Sequence, residues 1–190
     1  MTAVEIRLQT PDDLPALKKL NEVTFGPGRF ARTAYRVREG AATEPRLNLC
    51  AIQDGEIIGA VQFTPITIGG TGGALLLGPL IIEKAHNNQG HGLRLMQEGI
   101  RRARGLGYKL VILVGDLPYY ARAGFAVVPA GRIVMPGPAD PARLLFVELA
   151  PGALGAYIGP VRGLPGWGSC EPGQRSECAG NHGRAGAEPG

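Results

Sequence analysis

The feature that most constrains this chain is the segment of residues 78–96, GPLIIEKAHNNQGHGLRLM, in which an apolar strand ends and turns into a helix. The first amides of a helix have no partner inside it, and the helix dipole adds about half a positive charge there. Gly90 and Gly92 leave that backbone open to close approach, because glycine has no side chain. The segment therefore predicts either a phosphate-binding turn or a plain tight turn before a helix.

The elements before this turn and the residues within it argue against two common phosphate-binding folds. Three short β-rich runs precede it, at residues 47–53, 56–66 and 74–82. Asp54-Gly55 and the glycines within residues 69–73 separate these runs, and such turns predict an antiparallel meander. A turn that follows a meander is not the first turn of a Rossmann fold, and this one lacks the Lys-Ser/Thr pair of a P-loop.

The other elements predict a mixed α/β domain. An amphipathic helix over residues 90–106 leads into the apolar run 109–114, which completes a strand-helix-strand unit. Asp116 is expected to cap a short helix after that run. The remaining predicted elements are a strand at 4–8, a helix that begins with Thr10, Pro11 and Asp13, a basic helix at 30–39, and strands at 126–128 and 144–149.

Residues 166–190 differ in composition from the rest of the chain. Gly, Pro, Ser and charged residues dominate there, with almost no apolar residue beyond Trp167. Such a segment cannot offset the entropy that ordering would cost. We therefore expect one domain over residues 1–165 and a Gly/Pro-rich, disordered tail over residues 166–190.

The charge pattern does not favour nucleic acid as a partner. The formal charge is +4, and the densest basic run, residues 101–104, shares a predicted helix with Glu98. A mixed face of this kind is typical of a solvated helix, so no nucleic-acid partner is predicted. No apolar run reaches the length of a membrane span, so no membrane association is predicted either.

The cysteines predict a reducing compartment. Cys50, Cys170 and Cys178 are an odd number in a chain without a secretory signal, so we expect a cytoplasmic protein. Cys50 lies in an apolar strand and is expected to be a small core residue. Cys170, Cys178 and His182 lack paired C-x-x-C spacing, so no metal is expected.

The order of elements and residues 87–92 together resemble the GNAT superfamily of N-acetyltransferases. Its acyl-CoA motif, Q/R-x-x-G-x-G/A, lies between the fourth strand and the third helix. Asn87-Asn88-Gln89-Gly90-His91-Gly92 matches at both glycines, with Asn87 where the family usually has Gln or Arg. The resemblance spans about residues 4–165. It is closest to a bacterial subgroup with L-G-P-L at residues 77–80 and V-G-D-x-x-Y-Y-x-R-x-G-F at residues 114–125.

The resemblance implies a GNAT fold with a mixed, mostly antiparallel central sheet of six to seven strands flanked by about four helices. It implies acetyl-CoA as the co-substrate, with its phosphates on backbone amides of the turn. The end of the fourth strand should splay from the fifth and bind the pantetheine arm through its backbone, unless those groups pair with another strand. The residues expected to bind acetyl-CoA are Leu80, Ile81, Ile82, Asn87, Asn88, Gln89, Gly90, His91, Gly92 and Leu93.

The resemblance also gives Tyr120 the role of general acid, because it stands four residues before Gly124 in YARAGF. Attack of an amine on a thioester expels a thiolate whose conjugate thiol has a pKa of about 8.5. A tyrosine of pKa about 10 can protonate that thiolate within hydrogen-bond reach. The alternative is that Tyr120 packs over the core with its hydroxyl at the surface. Tyr119 is assigned to packing.

A general base is missing from the fourth strand, where GNAT enzymes often carry a glutamate. Glu83 follows that strand and is expected to face solvent. Glu44, Asp116 or a chain of waters stays open as the base, although Asp116 is expected first of all as a helix cap. His86 and His91 are expected to be solvent-facing residues without a chemical role.

Two kinds of function compete. The first is an enzyme that moves acetyl from acetyl-CoA to an amine, which leaves open the acceptor, a longer acyl group, and the choice between monomer and homodimer. The second is a degenerate GNAT domain that binds acyl-CoA as a sensor or scaffold, favoured by the missing carboxylate and disfavoured by Tyr120. A nucleic-acid-binding module comes third.

Overall fold

The computed structural model describes residues 3–25 and 33–165. Over these residues the chain forms one mixed sheet of nine strands and four α-helices. The strands are β1 (Glu5–Leu8), β2 (Leu49–Gln53), β3 (Glu56–Ile68), β4 (Thr71–Ile82), β5 (Leu110–Val114), β6 (Ala126–Val127), β7 (Ile133–Val134), β8 (Leu144–Glu148) and β9 (Gly159–Gly163). The helices are α1 (Leu14–Phe25), α2 (Thr33–Arg38), α3 (His91–Gly105) and α4 (Leu117–Tyr120).

The strands follow the order β1-β2-β3-β4-β5-β8-β6, with β9 against the end of β3 and β7 against β9. Among the described strands, β4 pairs with β5 and β7 with β9 in parallel, and the other pairs are antiparallel. The predicted mixed, mostly antiparallel sheet with about four helices is therefore confirmed. It is larger than six to seven strands because β7 and β9 extend it.

Two tight hairpin turns produce the meander β2-β3-β4. Asp54 and Gly55 both have positive φ, 52° and 83°, and so do Gly69 and Gly70, at 58° and 87°. Two successive residues with positive φ match the twist of the flanking strands, which is why such turns favour Asp-Gly and Gly-Gly. The two hairpins that the sequence predicted are confirmed, and β4 begins three residues earlier than expected because Thr71 already pairs with Ile68.

The sheet is buried on both faces. On one face α3 covers a core that includes Phe63, Leu75 and Val111, and on the other face a second core contains Leu76, Ile112 and Val37 of α2. Neighbouring residues of β4 and β5 point to opposite faces, so both strands require apolar residues throughout. This two-sided burial explains the continuous apolar run that the sequence shows at residues 109–114.

The predicted elements differ from the structure in two respects, and one prediction stays open. The second helix is Thr33–Arg38 rather than residues 30–39, and residues 30–32 lie outside the described part of the chain. The strands β7 and β9 were not predicted, because β9 reads GPVRG and carries no apolar alternation. The tail predicted at residues 166–190 also lies outside the described residues, so the domain boundary stays a prediction.

Candidate active site

The chain between β4 and α3 makes an irregular turn. Glycine permits the backbone conformation that this turn adopts. A short 3₁₀ helix, Lys84–His86, follows β4, and Asn88 and Gly90 then adopt the left-handed region with φ of 62° and 85°. An asparagine tolerates this region and a glycine adopts it without strain. The predicted strand, turn and helix are confirmed as elements, with Gly90 at the N-cap position of α3.

The start of α3 presents backbone amides without partners. The amide of Arg94 is the first that bonds within the helix, to the Gly90 carbonyl at 3.0 Å, so the amides of residues 91–93 have no intrahelical acceptor. No side chain caps this helix start, and its first turn contains no acidic residue. The partial positive charge of the dipole is therefore left for an anionic ligand.

The side chains of the turn contribute less than its backbone. Asn87 is exposed, and Gln89 makes contacts inside the turn, donating to the Ala85 carbonyl at 3.3 Å and lying 3.3 Å from His91 Nε2. The amides of residues 91–93, which have no intrahelical acceptor, can hold an anion without the side chains of Asn87 and Gln89. Ligand binding here would depend on the backbone of residues 91–93.

The end of β4 has an open edge beside this helix start. β4 pairs with β5 only from Ala74 to Leu76, yet it continues to Ile82. Its other edge stays bonded to β3, with Val61 opposite Leu80 and Gly59 opposite Ile82. No described strand pairs with the β5-facing edge of residues 80–82, so their backbone groups there are available for a ligand. The predicted splay of the fourth and fifth strands is present.

Tyr120 lies at the end of α4, next to the strand that diverges from β4. Its ring packs against Gly115, where a Cβ would collide with it, and makes an edge contact with the Phe125 ring at 5.9 Å. Burial raises the pKa of Tyr120 to about 12. A hydroxyl with such a pKa is protonated at neutral pH and can donate a hydrogen bond or a proton.

Tyr119 reaches the start of α3 instead. Its ring stands at 90° to that of Tyr120 with centroids 5.0 Å apart, and its hydroxyl fills the space where a Cβ on Gly92 would lie. Tyr119 therefore packs against the turn, which agrees with its assignment to packing. The contact also gives Gly92 a steric reason to be glycine that the sequence did not reveal.

The carboxylates considered as bases are engaged elsewhere. Glu44 is buried, binds Arg46 through two contacts of 2.8 Å and accepts a hydrogen bond from the Tyr108 hydroxyl at 2.8 Å. These donors, Arg46 first, hold the pKa of Glu44 below its ordinary value, which makes it a weak base. Glu83 is exposed as expected and contacts His86 at 3.0 Å.

Two sequence predictions near the turn are wrong in detail. Asp116 occupies the N-cap position of α4, but its carboxylate pairs with Arg143 at 3.2 Å rather than capping the helix, because its side chain extends into solvent. His91 does not face solvent: it is only 9% exposed, and its Nδ1 is buried without a partner. Burial, with Arg94 and His86 nearby, lowers the pKa of His91 and keeps its ring neutral.

Arg38, at the end of α2, is a site residue that the sequence did not single out. Its Nη2 lies 2.6 Å from the position that a Cβ on Gly78 would occupy, and its charge acts on Tyr120. Gly78 lies in β4 just past the last pair with β5, so the guanidinium borders the splay. The basic pattern of α2 could not reveal which of its arginines turns inward.

Cys50 is fully buried, and burial raises the pKa of its thiol to about 11, which confirms it as a core residue.

Within residues 3–25 and 33–165, no three His, Cys, Asp or Glu side chains come together as metal ligands. None of the helices described is long and apolar enough to cross a membrane. Cys170, Cys178 and His182 lie outside the described residues.

An open strand edge followed by an uncapped helix start is an arrangement that can bind an elongated ligand with an anionic group at one end. The profile of the Acetyltransferase (GNAT) family matches residues 14–125, which is more than half of the chain. The chain therefore belongs to the GNAT family.

Comparison with individual proteins agrees with this membership. The chain is 29% identical over 116 residues to the uncharacterized N-acetyltransferase YjhQ of Escherichia coli K12, a match over 60% of this chain and 64% of that protein. The chain therefore spans slightly less than two thirds of that relative. The narrower resemblance to one bacterial subgroup stays a prediction.

Two solved structures are similar in fold and are also related in sequence. The GNAT family N-acetyltransferase YhbS of Escherichia coli, in complex with CoA, has a TM-score of 0.74 and 27% identity over 86% of this chain and 91% of its own. A GNAT family acetyltransferase from Brucella melitensis, in complex with acetyl-CoA, has a TM-score of 0.62 and 27% identity over 80% of this chain and 91% of its own.

Proposed function

We propose that this protein is a cytoplasmic N-acetyltransferase that moves the acetyl group of acetyl-CoA to an amine. The observation that carries the proposal is the splay of β4 from β5 immediately before an uncapped helix start. The two related structures, bound to CoA and acetyl-CoA, support the choice of co-substrate.

The proposed binding mode uses backbone more than side chains. The pyrophosphate would accept hydrogen bonds from the amides at the start of α3, which also carry the positive end of the helix dipole. The pantetheine arm would lie along residues 80–82 and pair with the free edge of β4 as an added strand does. This places the thioester near the point where β4 and β5 separate, between Tyr120 and Gly78.

In the proposed reaction, the acceptor ammonium first loses a proton to solvent. The neutral nitrogen attacks the thioester carbonyl carbon, a C–N bond forms, and the C–S bond breaks with its electron pair on sulfur. Tyr120 gives its hydroxyl proton to the leaving thiolate. The nitrogen loses a second proton as the amide forms, and this proton restores the Tyr120 hydroxyl. The products are the acetamide and CoA thiol, with one proton released.

We propose that water, rather than a carboxylate of the protein, is the general base that accepts the proton of the acceptor ammonium. Glu44 is held by Arg46 and Tyr108, and Asp116 is exposed and paired with Arg143. The acceptor would lose its first proton to solvent, so turnover should rise with pH toward the pKa of the acceptor ammonium. The lack of a carboxylate on β4 also favours the second candidate, an acyl-CoA sensor without turnover.

The test is release of free thiol from acetyl-CoA with a panel of amines, for the wild type, Tyr120→Phe and the control Tyr119→Phe. We expect Tyr120→Phe to lower kcat by about 10²- to 10⁴-fold with CoA affinity unchanged, which is the usual contribution of a general acid. Tyr119→Phe should keep kcat within a few-fold. Full activity of Tyr120→Phe would refute the general acid, and tight CoA binding without turnover on any amine would support the sensor.

A further inference from the structure

The side chain of Arg38 is a partly buried cation without an ion-pair partner among the described residues. Its Nε is inaccessible to solvent and has no hydrogen-bond acceptor, and no described carboxylate forms an ion pair with its guanidinium. Burial lowers the pKa of Arg38 to about 10, which still leaves it charged at neutral pH. A charge that is removed from water without a counter-charge is costly, so the position of Arg38 lowers the stability of the ligand-free protein.

The neighbours of Arg38 offer it no negative charge. The groups that act on it electrostatically are the hydroxyls of Tyr35 and Tyr120, and no carboxylate is among them. The sequence just before α2, residues 26–32, reads GPGRFAR and contains two further arginines and no acid. No described residue supplies the counter-charge, and this points to a ligand as its source.

The position of Arg38 shows which ligand could supply that charge. The guanidinium lies against Gly78, where β4 has just separated from β5, and on the side of Tyr120. The phosphates of acetyl-CoA would bind at the start of α3, at the far end of the open edge of β4. The pantetheine arm and the acetyl group that would reach Gly78 are neutral. Before the reaction begins, only the acceptor among the two substrates can bring a permanent anion to Arg38.

We propose that Arg38 binds an acidic group of the acceptor, a carboxylate or a phosphate, and thereby selects amines that carry such a group. The planar guanidinium of arginine binds either anion through two parallel hydrogen bonds. With one end fixed at Arg38, the amine nitrogen would be held at the splay, where the thioester is expected. This inference rests on the proposed acetyltransferase function, and it makes Arg38 a specificity-determining residue rather than a proton donor.

The first arm of the test measures turnover. The acceptors are the protein amino acids other than Asp, Glu and Pro, each with its primary amide, and O-phosphoethanolamine with ethanolamine, so each acidic amine has a counterpart without the acidic group. We expect the wild type to prefer acidic members by about thirtyfold or more in kcat/KM, as for a buried charge pair. Arg38→Gln should abolish this preference by raising KM for the acidic acceptors about thirtyfold relative to their neutral counterparts, and Arg38→Lys should restore part of it.

The second arm measures binding and does not need turnover. Calorimetric titration of the CoA-saturated protein with the same acidic and neutral amines, and with their N-acetylated forms, should show binding of acidic members to the wild type and about thirtyfold weaker binding to Arg38→Gln. CoA affinity should be equal in both proteins. If turnover fails with every amine but this binding difference is found, the proposed function is wrong and the role of Arg38 stands.

Three results would overturn the role of Arg38. The wild type could prefer neutral amines or show no preference; Arg38→Gln could lower the rates with acidic and neutral acceptors equally; or acidic amines could fail to bind in both arms. Arg38→Met provides the folding control, because removal of an uncompensated buried charge should leave the melting temperature of the free protein unchanged or raised.

Discussion

Gly90 and Gly92, two residues apart in the same turn, need to be glycine for different physical reasons. Gly90 has φ of 85°, and no atom would contact a Cβ placed on it, so its backbone conformation is the constraint. Gly92 belongs to α3, and a Cβ on it would collide with the Tyr119 hydroxyl, so its constraint is steric. The spacing G-x-G thus combines a left-handed backbone conformation at Gly90 with a close contact at Gly92. Substitutions at each position can test these two constraints separately.

At Gly90, replacement by Asp and by Asn isolates the effect of charge. Both side chains tolerate the left-handed region and both can cap the helix, but only Asp adds a negative charge at the amides of α3. We expect Gly90→Asp to bind CoA at least about tenfold more weakly than Gly90→Asn, because a carboxylate repels the pyrophosphate. Calorimetric titration with CoA at low and high salt measures the difference. Equal affinities would mean that the phosphates bind elsewhere.

At Gly92, the cost of an alanine should depend on the hydroxyl of Tyr119. Gly92→Ala is expected to lower the free energy of unfolding by about 1–2 kcal/mol, because the added methyl group displaces the tyrosine. In the Tyr119→Phe background the same change should cost clearly less, since the colliding oxygen is absent. Urea denaturation of the four proteins gives the coupling energy. An equal cost in both backgrounds would show that Gly92 is constrained by something other than Tyr119.

At the scale of elements, the site depends on a difference in strand length. β4 has twelve residues and β5 has five, and β5 is bonded to β8 along its whole length while it meets β4 at only three pairs. The chain leaves β5 through Gly115 into α4, which ends at Tyr120. The open edge of β4 therefore follows from where β5 stops, and α3 must pack closely enough to bring its first turn to that edge.

That close packing of α3 depends on Gly99, where a Cβ would collide with the ring of buried Phe63. Alanine gains about 1 kcal/mol over glycine in a helix interior, but overpacking costs about 1–3 kcal/mol, so Gly99→Ala should lower the free energy of unfolding overall. Gly105→Ala, at the end of α3 in open space, is the matched control and should be neutral or stabilising. Thermal and urea denaturation compare them, and a stabilised Gly99→Ala would show that α3 can shift away from the sheet.

Local sequence predicted those parts of the fold and site that local chemistry determines. The helix α3, the hairpin glycines and the strand-turn-helix at residues 78–96 follow from periodicity and backbone conformation, and they are present as predicted. Strand β9 and the inward position of Arg38 follow from tertiary contacts instead. Arg36 and Arg38 stand two residues apart in one basic helix, and only the contact with Gly78 of β4 decides that Arg38 is the less exposed of the two.

At the scale of the whole molecule, one polar cluster fixes the N-terminal part of the chain to the sheet. The carboxylate of Asp13 accepts from both terminal nitrogens of Arg7 in β1, at 2.7 and 2.8 Å, and from the Thr10 amide and hydroxyl at 2.7 and 3.0 Å. Asp13 is 7% exposed, so this cluster is shielded from solvent. It links β1 to the start of α1, and α1 in turn packs on β3 and β4.

This cluster should make the stability of the fold depend on pH in the acidic range. The hydrogen bonds from Arg7, followed by those from Thr10, hold the pKa of Asp13 well below its ordinary value of about 3.9. A lowered pKa stabilises the folded state at pH values above the pKa of the unfolded state, and this contribution is lost as the pH falls below about 4.

We expect Asp13→Asn to lower the free energy of unfolding by about 1–3 kcal/mol at pH 7, with the difference from wild type shrinking below pH 4. Urea denaturation from pH 2.5 to 7, with the exposed neighbour Asp12→Asn as control, measures it. A difference that stayed constant down to pH 2.5 would show that Asp13 contributes through packing rather than through its charge.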